Sequence, residues 1–242
     1  MSDAATSFNW FWWVASAMGF LAGSIPFGVM IARSRGVDIR QKGSGNPGAT
    51  NVGRVLGKPF GVICFFLDAI KGAVPVLISG WLAGILGTGS DEMTASAAWG
   101  WLLVAILTIL GHCFSPWIGF RGGKGVATGF GAVLAMWPVL TMPAIAGFFV
   151  WTIVLVLTRL MSLASIAGAI VLPATVLALA LVPGTPGTNL EASIPFLVVT
   201  SLVAALVVFR HRGNLVRLRE GREAKIGDAA GAGSTPPADS KD

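Results

Sequence analysis

Three segments of this 242-residue chain combine residue types suited to holding an anion. The first reads GVDIRQKGSGNPGATNVGRVLGKP, residues 36–59. Four Gly and Pro47 lie between Lys42 and Arg54, interleaved with Ser44, Asn46, Thr50 and Asn51. Glycines let backbone N–H groups turn toward an anion, short hydroxyl and amide side chains donate further hydrogen bonds, and Arg54 offers a planar fork that matches phosphate. The second segment is GHCFSPWIGFRGGKGVATGFG, residues 111–131. Its Gly122, Gly123 and Gly125 flank Lys124 just where an apolar stretch opens at Val126, and a glycine loop feeding a helix N-terminus is a ready anion site. The third, FRHRGNLVRLREGREAKIG at 209–227, holds six cations directly after an apolar run. His211 and Asn214, one helical turn apart, can point together into the mouth of a bundle. Glu220 and Glu223, amid Arg217, Arg219 and Arg222, read as local ion pairs with a structural role.

Other residues fit plainer roles. Asp68 and Lys71 sit at i, i+3 inside an apolar run, where ionisable groups are costly unless paired, so a mutual ion pair is expected. His112 reads as a structural histidine, and Ser162, just after Arg159, faces the same side as the basic segments. Cys64 and Cys113 have no partner spacing and read as small buried hydrophobes. The chain carries no GxxxxGK[ST], HExxH, GxSxG or dinucleotide fingerprint, and no carboxylate cluster for a divalent metal. Several phosphate binders without a metal suggest a substrate with a phosphate and an apolar tail.

The elements that position these segments are membrane helices. Apolar residues make up 54% of the chain and charged residues 12%, against roughly 25% charged in a soluble domain. Nine Trp and fourteen Phe occur without a Tyr, and the mean hydropathy is +0.77. A surface with so few charges must face lipid. Apolar runs at 10–32, 59–87, 96–113, 125–140, 142–158, 162–182 and 194–209 predict an all-α polytopic protein of about seven transmembrane helices, with Pro138 and Pro143 marking the turn between the fourth and fifth. Segments 33–58, 121–124, 159 and 210–225 hold fifteen of the seventeen Lys and Arg. The alternate segments 1–9, 88–95, 138–142 and 183–193 hold none, while carrying Asp3, Asp91, Glu92 and Glu191. The positive-inside rule then places the N-terminus outside and the C-terminus in the cytoplasm. Residues 1–227 form one transmembrane domain on this reading, and the small polar tail 228–242 is expected to be disordered.

The motifs GSGNPGATNVGR, GHCFSPWIGFRGGKGVAT and HRGNLVRLREGREAKIG resemble the three signatures of the bacterial acyl-phosphate:glycerol-3-phosphate acyltransferase family. DAIKGAVPV, TRLMSLASI and GSIPFGVMIAR are similar to its secondary patterns, so the likeness runs from about Gly23 to Gly227. It implies a seven-helix inner-membrane enzyme, its active site facing the cytoplasm, that makes 1-acyl-glycerol-3-phosphate (lysophosphatidate) and inorganic phosphate for phospholipid biosynthesis. The donor is acyl phosphate and the acceptor the 1-hydroxyl of sn-glycerol 3-phosphate. The HxxxxD box of other glycerol-phosphate acyltransferases is absent, since neither His112 nor His211 has Asp five positions on.

Carried onto this chain, the resemblance implies Ser44, Arg54, Lys124, His211 and Asn214 as catalytic residues. Asn46, Thr50, Gly122, Gly123, Gly125 and Ser162 are implied as substrate-binding. No metal, cofactor or nucleic acid is expected. Membrane lipids are expected partners, and the soluble enzyme that makes acyl phosphate is a candidate one. Acyl phosphate is already an activated anhydride, so direct attack by the glycerol hydroxyl needs no covalent enzyme intermediate. Either His211 or a substrate phosphate serves as the base, and the resemblance favours the phosphate. The alternative is an anion or lipid-phosphate transporter, which should carry anion-binding groups near the midplane rather than at one face; a scaffold would need no glycine loops at all.

Overall fold

The computed structural model describes residues 10–182 and 189–227. The expected disordered tail, Asp3 and most of the 183–193 connection lie outside the described residues. Ten α-helices and no strand occur among those described: α1 Trp10–Ser24, α2 Phe27–Arg33, α3 Ala49–Leu56, α4 Lys58–Leu82, α5 Ala95–Cys113, α6 Val126–Leu134, α7 Thr141–Thr158, α8 Met161–Leu181, α9 Leu190–Arg210 and α10 Arg212–Arg219. Six stretches among them are long and apolar enough to cross a membrane, with α1 and α2 counting as one. The protein is an integral membrane helical bundle.

The break between α1 and α2 follows from Pro26, which lacks an N–H and disfavours helical geometry at the residue before it. Two carbonyls there accept hydrogen bonds from side chains. Lys71 Nζ donates to the Ile25 carbonyl at 2.6 Å, and Ser115 Oγ to that of Ser24 at 2.6 Å. Lys71 also pairs with Asp68 at 2.7 Å, as the spacing predicts, and the His112 ring nitrogen Nδ1 lies 3.7 Å from the same carboxylate. This buried cluster holds α1, α4 and α5 together and leaves His112 with a structural role. Below it, fully buried Trp101 donates from its indole to the Val76 carbonyl at 2.8 Å, joining α5 to α4.

Close packing elsewhere depends on small residues, as in most membrane helix pairs. On α7 and α8, Gly147 and Gly168 face each other so closely that a Cβ on either would stand 2.9 Å from the other's carbonyl oxygen. Exposed Phe149, Ile153 and Val156 line one face of α7 at helical spacing, an apolar stripe suited to lipid.

The fourth expected span differs from the prediction. Residues 125–140 contain only the nine-residue α6, rising about 14 Å, followed by a turn at 135–140. Pro138 lies in that turn, but Pro143 falls in the first turn of α7, where its missing N–H has no helical partner to lose. The segment nevertheless runs between opposite ends of α5. It starts beside Cys113 at the C-terminal end, and by Trp137 its carbonyl accepts from the N–H of Gly87 in the connection that leads into α5.

Candidate active site

The end of the bundle where α5 and α9 finish and α4 and α6 begin collects all three anion-suited segments. Its centre is Lys124. The Lys124 ammonium donates to the Asn214 amide oxygen, and Asn214 Nδ2 donates to Glu223 Oε1 at 2.6 Å. A lysine only donates and a carboxylate only accepts, so the amide orientation of Asn214 is fixed by its neighbours. Ser162 Oγ donates to the same Glu223 oxygen at 2.8 Å, and Arg217 Nε to Oε2 at 2.9 Å. Lys124, Asn214 and Ser162 thus meet in one network although 90 and 61 residues separate its joined pairs.

The glycine loop is held from both sides. Gly122 and Gly123 donate their N–H groups to the carbonyls of Cys113 and His112 at 3.1 and 3.2 Å, and their own carbonyls accept from Arg210. Both N–H groups are therefore engaged within the protein. Their role is to shape the loop, and the smallness required is visible at Gly123, where a Cβ would collide with the His112 ring. Gly125, with φ at +81°, adopts the left-handed conformation that starts α6. The first-turn N–H groups of α6 have no intrahelical partner, and the positive end of the helix dipole lies behind them.

Burial drives the Lys124 pKa down to about 8. Glu223 opposes that shift, while Arg217, Arg210 and Arg54 reinforce it. Arg54, in the last turn of α3, is the residue that brings the first segment within electrostatic reach of the second. His211 is buried at the junction of α9 and α10. Its Nδ1 lies 2.8 Å from the Val207 carbonyl, which can only accept, so Nδ1 carries the hydrogen and Nε2 the lone pair. Burial first, and the nearby Lys124 charge second, push its pKa down to about 4.

Ser44 and Asn46, in the loop before α3, and Thr50, in the first turn of α3, stand apart from this hydrogen-bond network. Ser44 and Thr50 are exposed, and Asn46 Oδ1 accepts from the Gly48 N–H at 2.9 Å, shaping a turn. The loop is organised by Asn51, which the sequence marks only as one of the segment's polar residues. Buried Asn51 accepts from the Ser44 N–H at 2.9 Å and donates to the carbonyls of Ile39 and Lys42 at 3.2 and 3.0 Å. Arg210 and Glu223 were also missed as organisers. Glu223 does form the local pair expected with Arg217, yet its longer reach to Ser162 has no spacing signal.

An apolar groove lies between α6, α7, α8 and α9, lined by Phe130, Phe148 and Trp151 and, next to Lys124, by Gly125. A cationic, hydrogen-bonding cluster beside such a groove, at one end of a membrane bundle, is an arrangement suited to an amphiphilic anion. The family model for glycerol-3-phosphate acyltransferase matches residues 13–221. Relatives named glycerol-3-phosphate acyltransferase include one from Anaeromyxobacter sp. (strain Fw109-5), 41% identical over 88% of this chain and 95% of its own. Another, from Aquifex aeolicus (strain VF5), is 40% identical over 86% of this chain and 95% of its own. Two crystal structures of PlsY, an integral membrane glycerol 3-phosphate acyltransferase, superpose on the fold. Its glycerol 3-phosphate form gives a TM-score of 0.74 at 38% identity over 89% of this chain and 96% of that one. Its lysophosphatidic acid form gives 0.72 at 37% identity, covering 89% and 95%. The chain belongs to the glycerol-3-phosphate acyltransferase family and is an integral membrane acyltransferase.

Proposed function

We propose that this chain transfers an acyl group from acyl phosphate to the 1-hydroxyl of sn-glycerol 3-phosphate, releasing inorganic phosphate and lysophosphatidate. The observation that carries this reading is the meeting of Lys124, Asn214 and Ser162 beside the apolar groove that Gly125 helps to line. The groove suits the acyl chain, and the cations suit two phosphates.

In the reaction the hydroxyl oxygen bonds to the acyl carbonyl carbon and the carbon–phosphate oxygen bond breaks. Lys124 and Arg54 hold the two phosphates together against their repulsion and bring the hydroxyl to the carbonyl. The first-turn N–H groups of α6, Ser44 and the second Nδ2 hydrogen of Asn214 are candidate donors to the developing oxyanion. The hydroxyl proton goes to a phosphate oxygen. A low affinity for protons at His211 Nε2 supports that choice, because a base of pKa about 4 accepts a proton weakly. His211 then serves to position α10 and Asn214.

Purified protein in detergent, given these two substrates, should form lysophosphatidate and phosphate in equal amounts. Phosphate release without lysophosphatidate would remove the acceptor from the proposal.

The same reading places seven crossings in a bacterial inner membrane, the N-terminus outside and the site facing the cytoplasm, where a soluble enzyme can deliver acyl phosphate. The 125–140 segment joining opposite ends of the bundle supports seven crossings, and the one-sided cations support the orientation. A cysteine at position 92 in a Cys64→Ser/Cys113→Ser protein should react with impermeant reagent from outside the cell; reaction only from the cytoplasmic side would refute this topology.

A further inference from the structure

We propose that Glu223 is a surrogate anion: in the substrate-free protein its carboxylate takes the donors meant for a phosphate, and an arriving phosphate displaces it. The inference rests on Lys124, Asn214 and Ser162 being phosphate-binding residues, as in the function proposed above. Those are the groups gathered around this carboxylate. Ser162 and Asn214 donate to Oε1, Arg217 donates to Oε2, and the Lys124 ammonium stands one amide away. With all its donors in place the side chain is 9% exposed, seated as a bound ligand would be.

Glu223 reaches this position on a strap, residues 220–227, that turns back from α10 to the junction of α7 and α8. At its far end the Ile226 N–H donates to the Arg159 carbonyl at 2.8 Å, and the Arg159 guanidinium donates to the Ile226 carbonyl at 2.6 and 3.1 Å. Further ties of the strap include those that end on the Glu223 carboxylate and backbone bonds from residues 220–222 to α10. A carboxylate and a phosphate cannot share these donors, because like charges brought together among them repel. Phosphate entry therefore ejects Glu223 and loosens the strap. The cations stay neutralised and ordered between turnovers, and anion affinity is set by a competition rather than by the cations alone.

The test is calorimetric titration of inorganic phosphate into the purified full-length protein in detergent, comparing wild type with Glu223→Gln and Glu223→Asp. Glu223→Gln keeps the shape and removes the competing charge, so phosphate should bind about tenfold more tightly, while Glu223→Asp should stay near wild type. Equal or weaker phosphate binding by Glu223→Gln would overturn the proposal and make Glu223 a fixed orienting group. Hydrogen exchange on the wild-type protein gives a second reading that needs no variant. Saturating phosphate should speed exchange of the 220–227 segment, and unchanged or slower exchange there would overturn the proposal even if Glu223→Gln fails to fold. Tighter phosphate binding in a protein that makes no lysophosphatidate would sink the acyl-transfer reading alone. Normal turnover with no gain in phosphate affinity would sink the surrogate alone.

Discussion

The Arg210 guanidinium donates to the Gly123 carbonyl at 2.6 Å, and through the same nitrogen to that of Gly122 at 2.9 Å. One side chain at the end of α9 thereby fixes the glycine loop that carries Lys124. A lysine at 210 would keep the charge and lose the rigid, planar guanidinium whose one nitrogen reaches both carbonyls. Arg210→Lys should raise KM for the phosphate-bearing substrates about tenfold, leave kcat within a few-fold, and cost about 1–3 kcal/mol of stability. Steady-state kinetics with thermal unfolding of the same samples checks this; unchanged KM would show that the loop holds itself.

Lys124 is predicted to act by holding phosphate in ground and transition states alike. Lys124→Ala should chiefly raise KM, with kcat nearly kept. With its pKa at about 8, wild-type KM should climb as pH rises above that value, whereas Lys124→Arg should show no such climb. Stability moves the other way. The unfolded lysine keeps its proton up to 10.5 and the folded one only to about 8, so the substrate-free protein gains stability across that window as pH rises. Unfolding midpoints measured across the window should lose this gain in Lys124→Ala.

His211 separates the two base models. Its folded pKa of about 4 lies below the ordinary 6.5, so the unfolded chain takes up the proton first as pH falls. Stability should drop between about 6.5 and 4, and His211→Ala should flatten that drop. A phosphate base, with a second pKa of about 6, predicts an acidic rate limb near 6 that persists in His211→Ala. Loss of that limb would make His211 the base.

Asn214 has one Nδ2 hydrogen on Glu223 and the other available to an oxyanion. If it donates there, Asn214→Ala should lower kcat by about 10²-fold in protein that remains folded. Wild-type kcat, normalised to folded protein, would leave Asn214 with the task of orienting Lys124 only.

Much of this arrangement is legible in the sequence because membrane burial makes charge informative. Asp68 and Lys71 stand out inside an apolar run, and their pair forms at 2.7 Å. The basic segments stand out in the same way, and those that can be traced through Lys124, Arg210, Arg159 and Glu223 converge on one end. The length of α6 is not legible, because an apolar run says nothing of where a helix yields to the turn around Pro138. Glu223 is not legible either. Beside four cations it looks locally paired, and only the fold of the strap carries it to Ser162. The partners of the Gly122 and Gly123 N–H groups are not legible for a related reason, since composition marks a loop as rich in N–H donors without saying which are already taken.

The most direct measurement is lysophosphatidate formation by purified protein from glycerol 3-phosphate, with acyl phosphate, acyl-CoA and acyl carrier protein as donors in parallel, each with and without a divalent chelator. A site built on Lys124 and Arg54 predicts product from acyl phosphate alone, unaffected by the chelator. Equal turnover with acyl-CoA, or activity abolished by the chelator, would contradict it.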